Sequence, residues 1–334
     1  MIGFNLKYLS EYRTPLMGIA ALMIVICHAP AYGVSMPAVV AKIVASGGLG
    51  VDVFLFLSGI GCYYSLSKLG ARSVGSWYKR RLVRIFIPYA LMQIPFWTYE
   101  LCVGSFDLID SIYTFSTVKF WMAHRGAWYV ALLLPLYIIT PPLYKLLQKS
   151  GSKRIYVTTL IMLFIILICF MDFEHMRKDY VVDNLRWAFQ RTTNFVVGMA
   201  IAPYVKQEKR VNVVLVLGVC LLSFFLVHRC ISKELFMDWC KVPYLVMPSV
   251  LVLKYMNRNG FLYRFVCWMG IVSLESYLAN IYLCGAVSDF ARRTGWNDYG
   301  CYAEYLVVIV LGMTISWGIH KMSGLINSKN AVMR

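Results

Sequence analysis

The sequence is poor in charge. Only 15% of its 334 residues are charged and 60% are hydrophobic, whereas a soluble domain is about 25% charged. Such a composition cannot cover a soluble surface. The apolar residues instead form runs long enough to cross a hydrocarbon core about 30 Å thick, which takes about 20 residues at 1.5 Å rise each. The sequence therefore predicts an all-α integral membrane protein.

Paired cysteines and an amino-terminal signal are also lacking. The ten cysteines include no Cys-x-x-Cys pair, so neither a zinc site nor a thioredoxin-like motif is predicted. Most lie inside apolar runs, where cysteine acts as a small core residue. Cys230, Cys240 and Cys301 fall in predicted outer loops, where a disulfide is an open alternative. The start, MIGFNLKYLSEYRT, is polar, and no cleavable signal is expected.

Ten apolar runs are predicted to span the membrane. Their approximate limits are 14–33, 47–66, 85–103, 127–147, 154–172, 188–205, 211–229, 242–257, 267–289 and 304–322. The eighth is short and carries Pro243 and Pro248, so it is expected to be broken or packed inside the bundle. No soluble domain fits between the runs and no internal repeat is visible. Residues 1–334 are therefore predicted to form a single bundle of about ten transmembrane helices.

Acidic residues are scarce, since 16 Asp and Glu stand against 33 Lys and Arg. With the amino terminus in the cytosol, the inner segments hold 21 of the basic residues and, of the acids, only Glu11 and Glu208. The positive-inside rule then puts both termini in the cytosol of a plasma-membrane protein. The net charge of +17 is explained by this topology, so a nucleic-acid partner is not expected.

Three ionisable residues lie at membrane depth, where they are costly and therefore candidates for function. His28 is near the outer end of the first span, and Asp52 is near the outer start of the second. A carboxylate beside a histidine can make a general-base pair. The alternative is a buried, hydrogen-bonded histidine with a structural aspartate. Glu275, in the ninth span, is the third candidate.

A basic cluster, WYKRRLVRIFIPY, stands at the cytosolic mouth of the third span. Arg80 and Arg84 are four residues apart and share a helix face, and Arg81 neighbours Arg84. Guanidinium groups grip phosphate in a bidentate fork, which suits a nucleotide-bearing cofactor. The alternative is positive-inside anchoring or contact with anionic lipid.

Tryptophan and tyrosine are abundant, with 9 and 23 residues. Most are expected in the aromatic belts at the membrane surfaces. Trp128 and Tyr129, at the start of the fourth span, have a second interpretation: their rings offer faces on which a sugar can stack.

Five blocks together resemble the acyltransferase-3 family of membrane-bound acyltransferases, in the family's order and over nearly the whole chain. The second is the most specific. The blocks are EYRTPLMGIAALMIVICHA, GGLGVDVFLFLSG, WYKRRLVRIFIPY, AWYVALLLPLYIITPPLY and GIVSLESYLANIYL.

Two positions depart from the family pattern. The family often has an arginine eleven residues before the histidine of the first span, where this chain has Met17; Arg13, one turn earlier, is the candidate replacement. The family frequently has a second histidine late in the chain, near the place of Asn280.

The resemblance implies an O-acyltransferase that transfers an acetyl group from cytosolic acetyl-CoA to a hydroxyl of a cell-surface glycan or its lipid-linked precursor. His28 would deprotonate the hydroxyl, Asp52 or Glu275 would orient groups in the pore, and no metal is expected. The donor would be held by Arg13, Arg80, Arg81 and Arg84, and the acceptor by Trp128 and Tyr129.

A secondary transporter for a small polar solute is the alternative, because a multi-pass topology and intramembrane carboxylates suit it equally. Transporters commonly show two related halves, however, and none are visible here. The expected partners are membrane lipid and the glycan acceptor.

Overall fold

A computed structural model describes residues 3–69, 73–123, 126–170, 180–230, 238–295 and 301–332. The fold is almost entirely helical, as predicted. The elements are β1 (Gly3–Asn5), α1 (Tyr8–Glu11), α2 (Arg13–Cys27), α3 (Ala38–Ala45), α4 (Leu49–Ser67), α5 (Val74–Cys102), α6 (Leu108–Phe115), α7 (Val118–Ala123), α8 (Trp128–Lys149), α9 (Arg154–Phe170), α10 (Tyr180–Lys206), β2 (Arg210–Asn212), α11 (Val213–Cys230), α12 (Asp238–Tyr255), α13 (Phe261–Ile271), α14 (Ser273–Thr294) and α15 (Cys301–Val332).

Each of the ten predicted spans overlaps a helix, but length and composition support fewer crossings. Among the described residues, four helical stretches are long and apolar enough to cross a membrane: Ala38–Ser67, Trp128–Lys149, Gly151–Ile168 and Cys301–Ile326. A fifth is added if α13 and α14, which meet at a 74° bend, form one span. The count of ten stays a prediction.

The structure shows whether the helices of two predicted spans are continuous: the ninth is unexpectedly divided, and the eighth, for which the sequence allowed a break, is unbroken. The ninth, expected as one run over 267–289, is divided at Val272 between α13 and α14. The eighth is a continuous helix that contains both Pro243 and Pro248, and its Val246 and Val250 are buried. The span is therefore not broken, and it packs against the bundle with one face only, since Leu251 and Val252 are exposed.

The outer surface of the bundle carries large apolar side chains, as a lipid-facing surface requires. Helix α9 shows this most clearly, with Ile155, Leu160, Phe164 and Leu167 exposed. Water does not tolerate so continuous an apolar surface on one helix, whereas hydrocarbon does.

Segments predicted to lie on the cytosolic side meet at one end of the bundle. Strands β1 and β2 pair antiparallel, with Gly3 opposite Asn212. Beside them, Arg258 donates a hydrogen bond to Glu11 Oε1 at 2.6 Å. At the opposite end, the Tyr302 hydroxyl donates to the Ser35 carbonyl at 2.8 Å. Segments predicted to be cytosolic and segments predicted to be external thus lie at different ends of the bundle, and the orientation itself stays a prediction.

Glycines allow two helix pairs to approach closely. A Cβ atom on Gly59 of α4 would lie 2.2 Å from the Phe195 carbonyl oxygen, and one on Gly198 of α10 would lie 2.1 Å from that of Phe56. A Cβ on Gly18 of α2 would lie 1.8 Å from the Val266 oxygen of α13. Small residues at such crossings hold membrane helices together by close packing.

Enlarging Gly59 is expected to destabilise the protein strongly. Gly59→Ala places a methyl group against backbone atoms of α10 that cannot rotate away, so we expect a cost of about 1–3 kcal/mol and a lower Tm. The matched control is Gly218→Ala on α11, where nothing lies within 4 Å of the added Cβ. Thermal unfolding of both purified variants measures the difference. Equal Tm values would contradict the close α4–α10 packing.

Candidate active site

The bundle contains a cavity of about 910 Å³. It lies at the end predicted to face the cytosol, because its walls include the starts of α2 and α5 and the end of α15. The lining residues used below are Arg13, Met17, Phe54, Lys79, Arg80, Arg81, Arg84, Ile85, Pro88, Tyr129, Glu275 and His320.

The four arginines predicted to hold a cofactor all line this cavity. Lys79 joins them, and Glu275 is the only carboxylate among the lining residues that the structure describes. Five cations facing one anion give the cavity a positive potential that concentrates anions. Arginine forks in particular match the oxygens of a phosphate group. The cavity therefore suits a polyphosphate ligand.

Two of the arginines are fixed against α4. Arg81 donates from Nη2 to the Gly61 carbonyl at 3.1 Å and to the Ser65 hydroxyl at 2.9 Å. Arg13 donates from Nε to the Leu57 carbonyl at 3.4 Å. These bonds hold both guanidinium groups in the cavity wall, which reduces the entropy lost when a ligand binds.

Arg13 and Met17 are one helical turn apart, and both face the cavity. A side chain at either position therefore reaches the same space. The cavity therefore has a cation from α2 although position 17 is Met, and the replacement of the expected arginine by Arg13 stays a prediction.

Glu275 forms a pair that the sequence reasoning missed. Its Oε1 lies 3.0 Å from Nδ1 of His320, on α15, and both residues line the cavity. Glu275 is buried, whereas His320 is partly exposed and stacks on Trp317 at an interplanar angle of 14°. The sequence feature that could have indicated this pair is the histidine inside the last apolar run, ISWGIHKM. Asn280, near the expected place of a second histidine, is buried on α14.

His28 lies at the other end of α2. Its Nδ1 is 2.7 Å from the Ile24 carbonyl oxygen. Since a carbonyl only accepts, Nδ1 carries the proton in this bond, and Nε2 keeps the lone pair that a general base needs. His28 and Arg13 are fifteen residues apart, or about 22 Å along the helix axis.

Asp52 is fully buried and accepts hydrogen bonds from two residues of α10. Arg191 donates from Nη1 to Oδ2 at 2.6 Å, and Asn194 donates from Nδ2 to Oδ1 at 2.8 Å. The start of α4 lies close to the end of α2, since Gly47, just before α4, packs against Cys27. The sequence reasoning missed Arg191 and Asn194, although both are polar residues inside the predicted sixth span and could have been noticed for that reason.

Trp128 and Tyr129 face different parts of the interior. Trp128 packs on Trp187, with ring centroids 4.2 Å apart, and Arg191 lies 5.4 Å from its ring. Tyr129 instead lines the cavity and stands 6.1 Å from the Phe54 ring. Consecutive helical residues point about 100° apart, which accounts for this division.

Breaking the pair between Asp52 and Arg191 is expected to destabilise the protein. Asp52→Ala leaves the guanidinium, only 12% exposed, without this carboxylate, at an expected cost of about 3 kcal/mol or more. The double variant Asp52→Ala/Arg191→Ala should lose less than the sum of the single variants. Thermal unfolding of the four forms completes the cycle. Strictly additive losses would show that the two residues are not coupled.

A cavity lined by several arginines within a bundle of apolar helices is typical of a membrane protein with an internal site suited to an anionic ligand. The sequence model of the acyltransferase-3 family, described as an acyltransferase domain, matches residues 16–321. The chain belongs to this family and is a multi-pass membrane acyltransferase. No curated protein and no solved structure matches it.

Proposed function

We propose that the protein is an O-acetyltransferase that moves an acetyl group from cytosolic acetyl-CoA to a hydroxyl of a cell-surface glycan or its lipid-linked precursor. The observation that carries the proposal is the gathering of Arg13, Arg80, Arg81 and Arg84 around one cavity. Their helices bring together cations that are far apart in the chain, as recognition of several phosphates requires.

The donor binds with its phosphates at these arginines. Arg84 and Arg80, one turn apart on α5, grip phosphate oxygens, while Arg13 and Arg81 present groups already held by α4. Lys79 adds a more flexible cation. The acyl end then extends along α2, away from the end of the bundle where the basic residues gather.

The acceptor hydroxyl is activated by His28. Its Nε2 takes the hydroxyl proton while the oxygen attacks the thioester carbonyl, and collapse of the adduct breaks the C–S bond. The proton then passes to the departing thiolate. A positioned base of this kind contributes about 10²–10⁴-fold to the rate. The donor cavity and His28 lie at opposite ends of α2, so donor and acceptor approach from opposite sides.

Trp128 is proposed to contact the acceptor together with Arg191 and Trp187. The Arg191 guanidinium lies 4.6 Å from the Trp187 ring centroid, which orients it beside both indoles. Aromatic faces with a nearby donor suit the alternating apolar and hydroxyl surfaces of a sugar ring. Asp52 forms an ion pair with Arg191 and so fixes the position of its guanidinium group. The role of Asp52 is thus to position Arg191 beside the acceptor.

Transfer is tested with the purified full-length protein in lipid nanodiscs. Acetyl-CoA labelled in the acetyl group is added with and without a glycan acceptor, and both free CoA and labelled product are measured. Acceptor-dependent release of CoA is expected. A protein that binds no acetyl-CoA, but moves a polar solute across proteoliposomes, would be a transporter instead.

A further inference from the structure

A row of buried tyrosines leads from the cavity into the interface between α5 and α14. Tyr129 lines the cavity, and its backbone N–H donates to the Tyr277 hydroxyl at 2.9 Å. Tyr277 neighbours Tyr89, and Tyr89 neighbours Tyr282. The row ends at Gln93, which lies beside Tyr282. Polar groups therefore continue inward from the wall of the donor site.

Gln93 and Tyr282 have polar atoms that the fold does not satisfy. Gln93 is fully buried, and no hydrogen bond of good geometry reaches either atom of its amide or the Tyr282 hydroxyl among the described residues, although that hydroxyl lies near the Gln93 amide and the Tyr89 hydroxyl. Tyr89 differs, because its hydroxyl donates to the Thr114 carbonyl at 2.8 Å. Burying an amide without partners is costly, and native proteins rarely keep such a group unless it has a use.

The two residues lie at matching heights above the basic end of the cavity. Gln93 follows Arg84 on α5 by nine residues, or about 13 Å. Tyr282 follows Glu275 on α14 by seven residues, or about 10 Å and two turns, so it lies on the same helix face. A chain that starts at the arginines and extends into the bundle passes this level.

We propose that Gln93 and Tyr282 bind an amide of the pantetheine arm of acyl-CoA, an inference that rests on the proposed donor site. The arm lies between the CoA pyrophosphate and the thioester and carries two amides, each with one donor and one acceptor. The glutamine amide offers the complementary pair on one planar group, and the tyrosine hydroxyl supplies a further donor. Neither residue is among the described residues of the cavity wall, so binding of the arm there requires the intervening tyrosine rings to move.

Two probes separate the arm from the phosphates. Coenzyme A contains both, whereas adenosine 3′,5′-bisphosphate keeps phosphates and lacks the arm. Binding of each is measured by titration calorimetry on the full-length protein in nanodiscs. Gln93→Met, which keeps length and shape, is expected to weaken CoA binding about tenfold and to leave bisphosphate binding unchanged. Tyr282→Phe should act in the same direction, and Arg84→Ala should weaken both probes.

Thermal unfolding without ligand supplies the second readout. Because Met removes an unsatisfied buried amide, the Tm of Gln93→Met should equal or exceed that of the wild type. If Gln93→Met binds CoA as tightly as the wild type, the inference is overturned. It is also overturned if Gln93→Met has a lower Tm and binds both probes equally more weakly, because Gln93 is then a structural residue. A wild-type protein that binds neither probe overturns the donor site itself, which distinguishes the two failures.

Discussion

His28→Ala is expected to lower the rate of acyl transfer by at least about 100-fold. The variant loses the nitrogen that takes the acceptor proton, while the arginines near the far end of α2 are untouched. Acetyl-CoA affinity should therefore stay within about twofold of the wild type, because charge-assisted bonds to phosphate dominate it. His28→Gln should be as inactive, since an amide can keep the bond to Ile24 but cannot take a proton.

The matched control for this prediction is His320→Ala. His320 is a second histidine with a hydrogen-bonding partner, but it lies in the cavity beside Glu275. Transfer rates and acetyl-CoA affinities are measured for all variants after their folding is checked by size-exclusion chromatography. A folded His28→Ala protein with substantial activity ends the general-base proposal. If His320→Ala is the inactive variant, the proton is removed at the basic end, and the acceptor is cytosolic.

Loss of the α5 arginines is expected to abolish donor binding. Hydrogen bonds to charged groups are worth about 1.5–3 kcal/mol each, so Arg84→Ala should weaken acetyl-CoA binding about tenfold or more. The triple variant with Arg80, Arg81 and Arg84 all changed to Ala should lose at least about 1,000-fold. Arg84→Lys should recover only part of the loss, because an ammonium group keeps the charge without the fork.

Arg264→Ala is the control for general charge effects. Arg264 lies on α13, is exposed, and is not among the described residues of the cavity wall. Its removal changes net charge by the same amount at the same end of the bundle, so donor binding should be unaffected. The single variant Arg84→Ala is the most direct one, since Arg81 also bonds to α4. If acetyl-CoA binding is unchanged in the single and triple variants, the three arginines of α5 serve only to fix the orientation of the protein in the membrane.

The features that the sequence predicted correctly are local ones. An apolar run fixes a helix because backbone groups in lipid must bond within their own segment, so each predicted span overlaps a helix. The joint face of Arg80 and Arg84 follows from helical spacing alone, and both line the cavity. The bend at Val272 was missed because a hydropathy pattern reports how apolar a run is and not whether its helix is continuous.

Pairings between distant segments were not accessible from the sequence. Glu275 and His320 are separated by 45 positions, and Asp52 and Arg191 by 139. These contacts depend on which helices pack together, and that depends on where glycines permit backbones to touch, as at Gly59 and Gly198. Sequence spacing therefore placed Asp52 near the end of α2, but its bonding partners on α10 became visible only in the fold.

The packing of α2 also determines when, during synthesis of the chain, this helix gains its neighbour. This helix leaves the ribosome first among the long helices, and its 15 residues fall short of the roughly 20 apolar residues that hold a span in the bilayer unaided. The helix it meets most closely, through Gly18 and Gly270, is α13, which is translated more than 200 residues later. A nascent chain therefore carries both Arg13 and His28 on a helix that lacks its main support until translation is nearly finished. The cavity wall is likewise completed only by residues of α14 and α15, Glu275 and His320, which are translated later still.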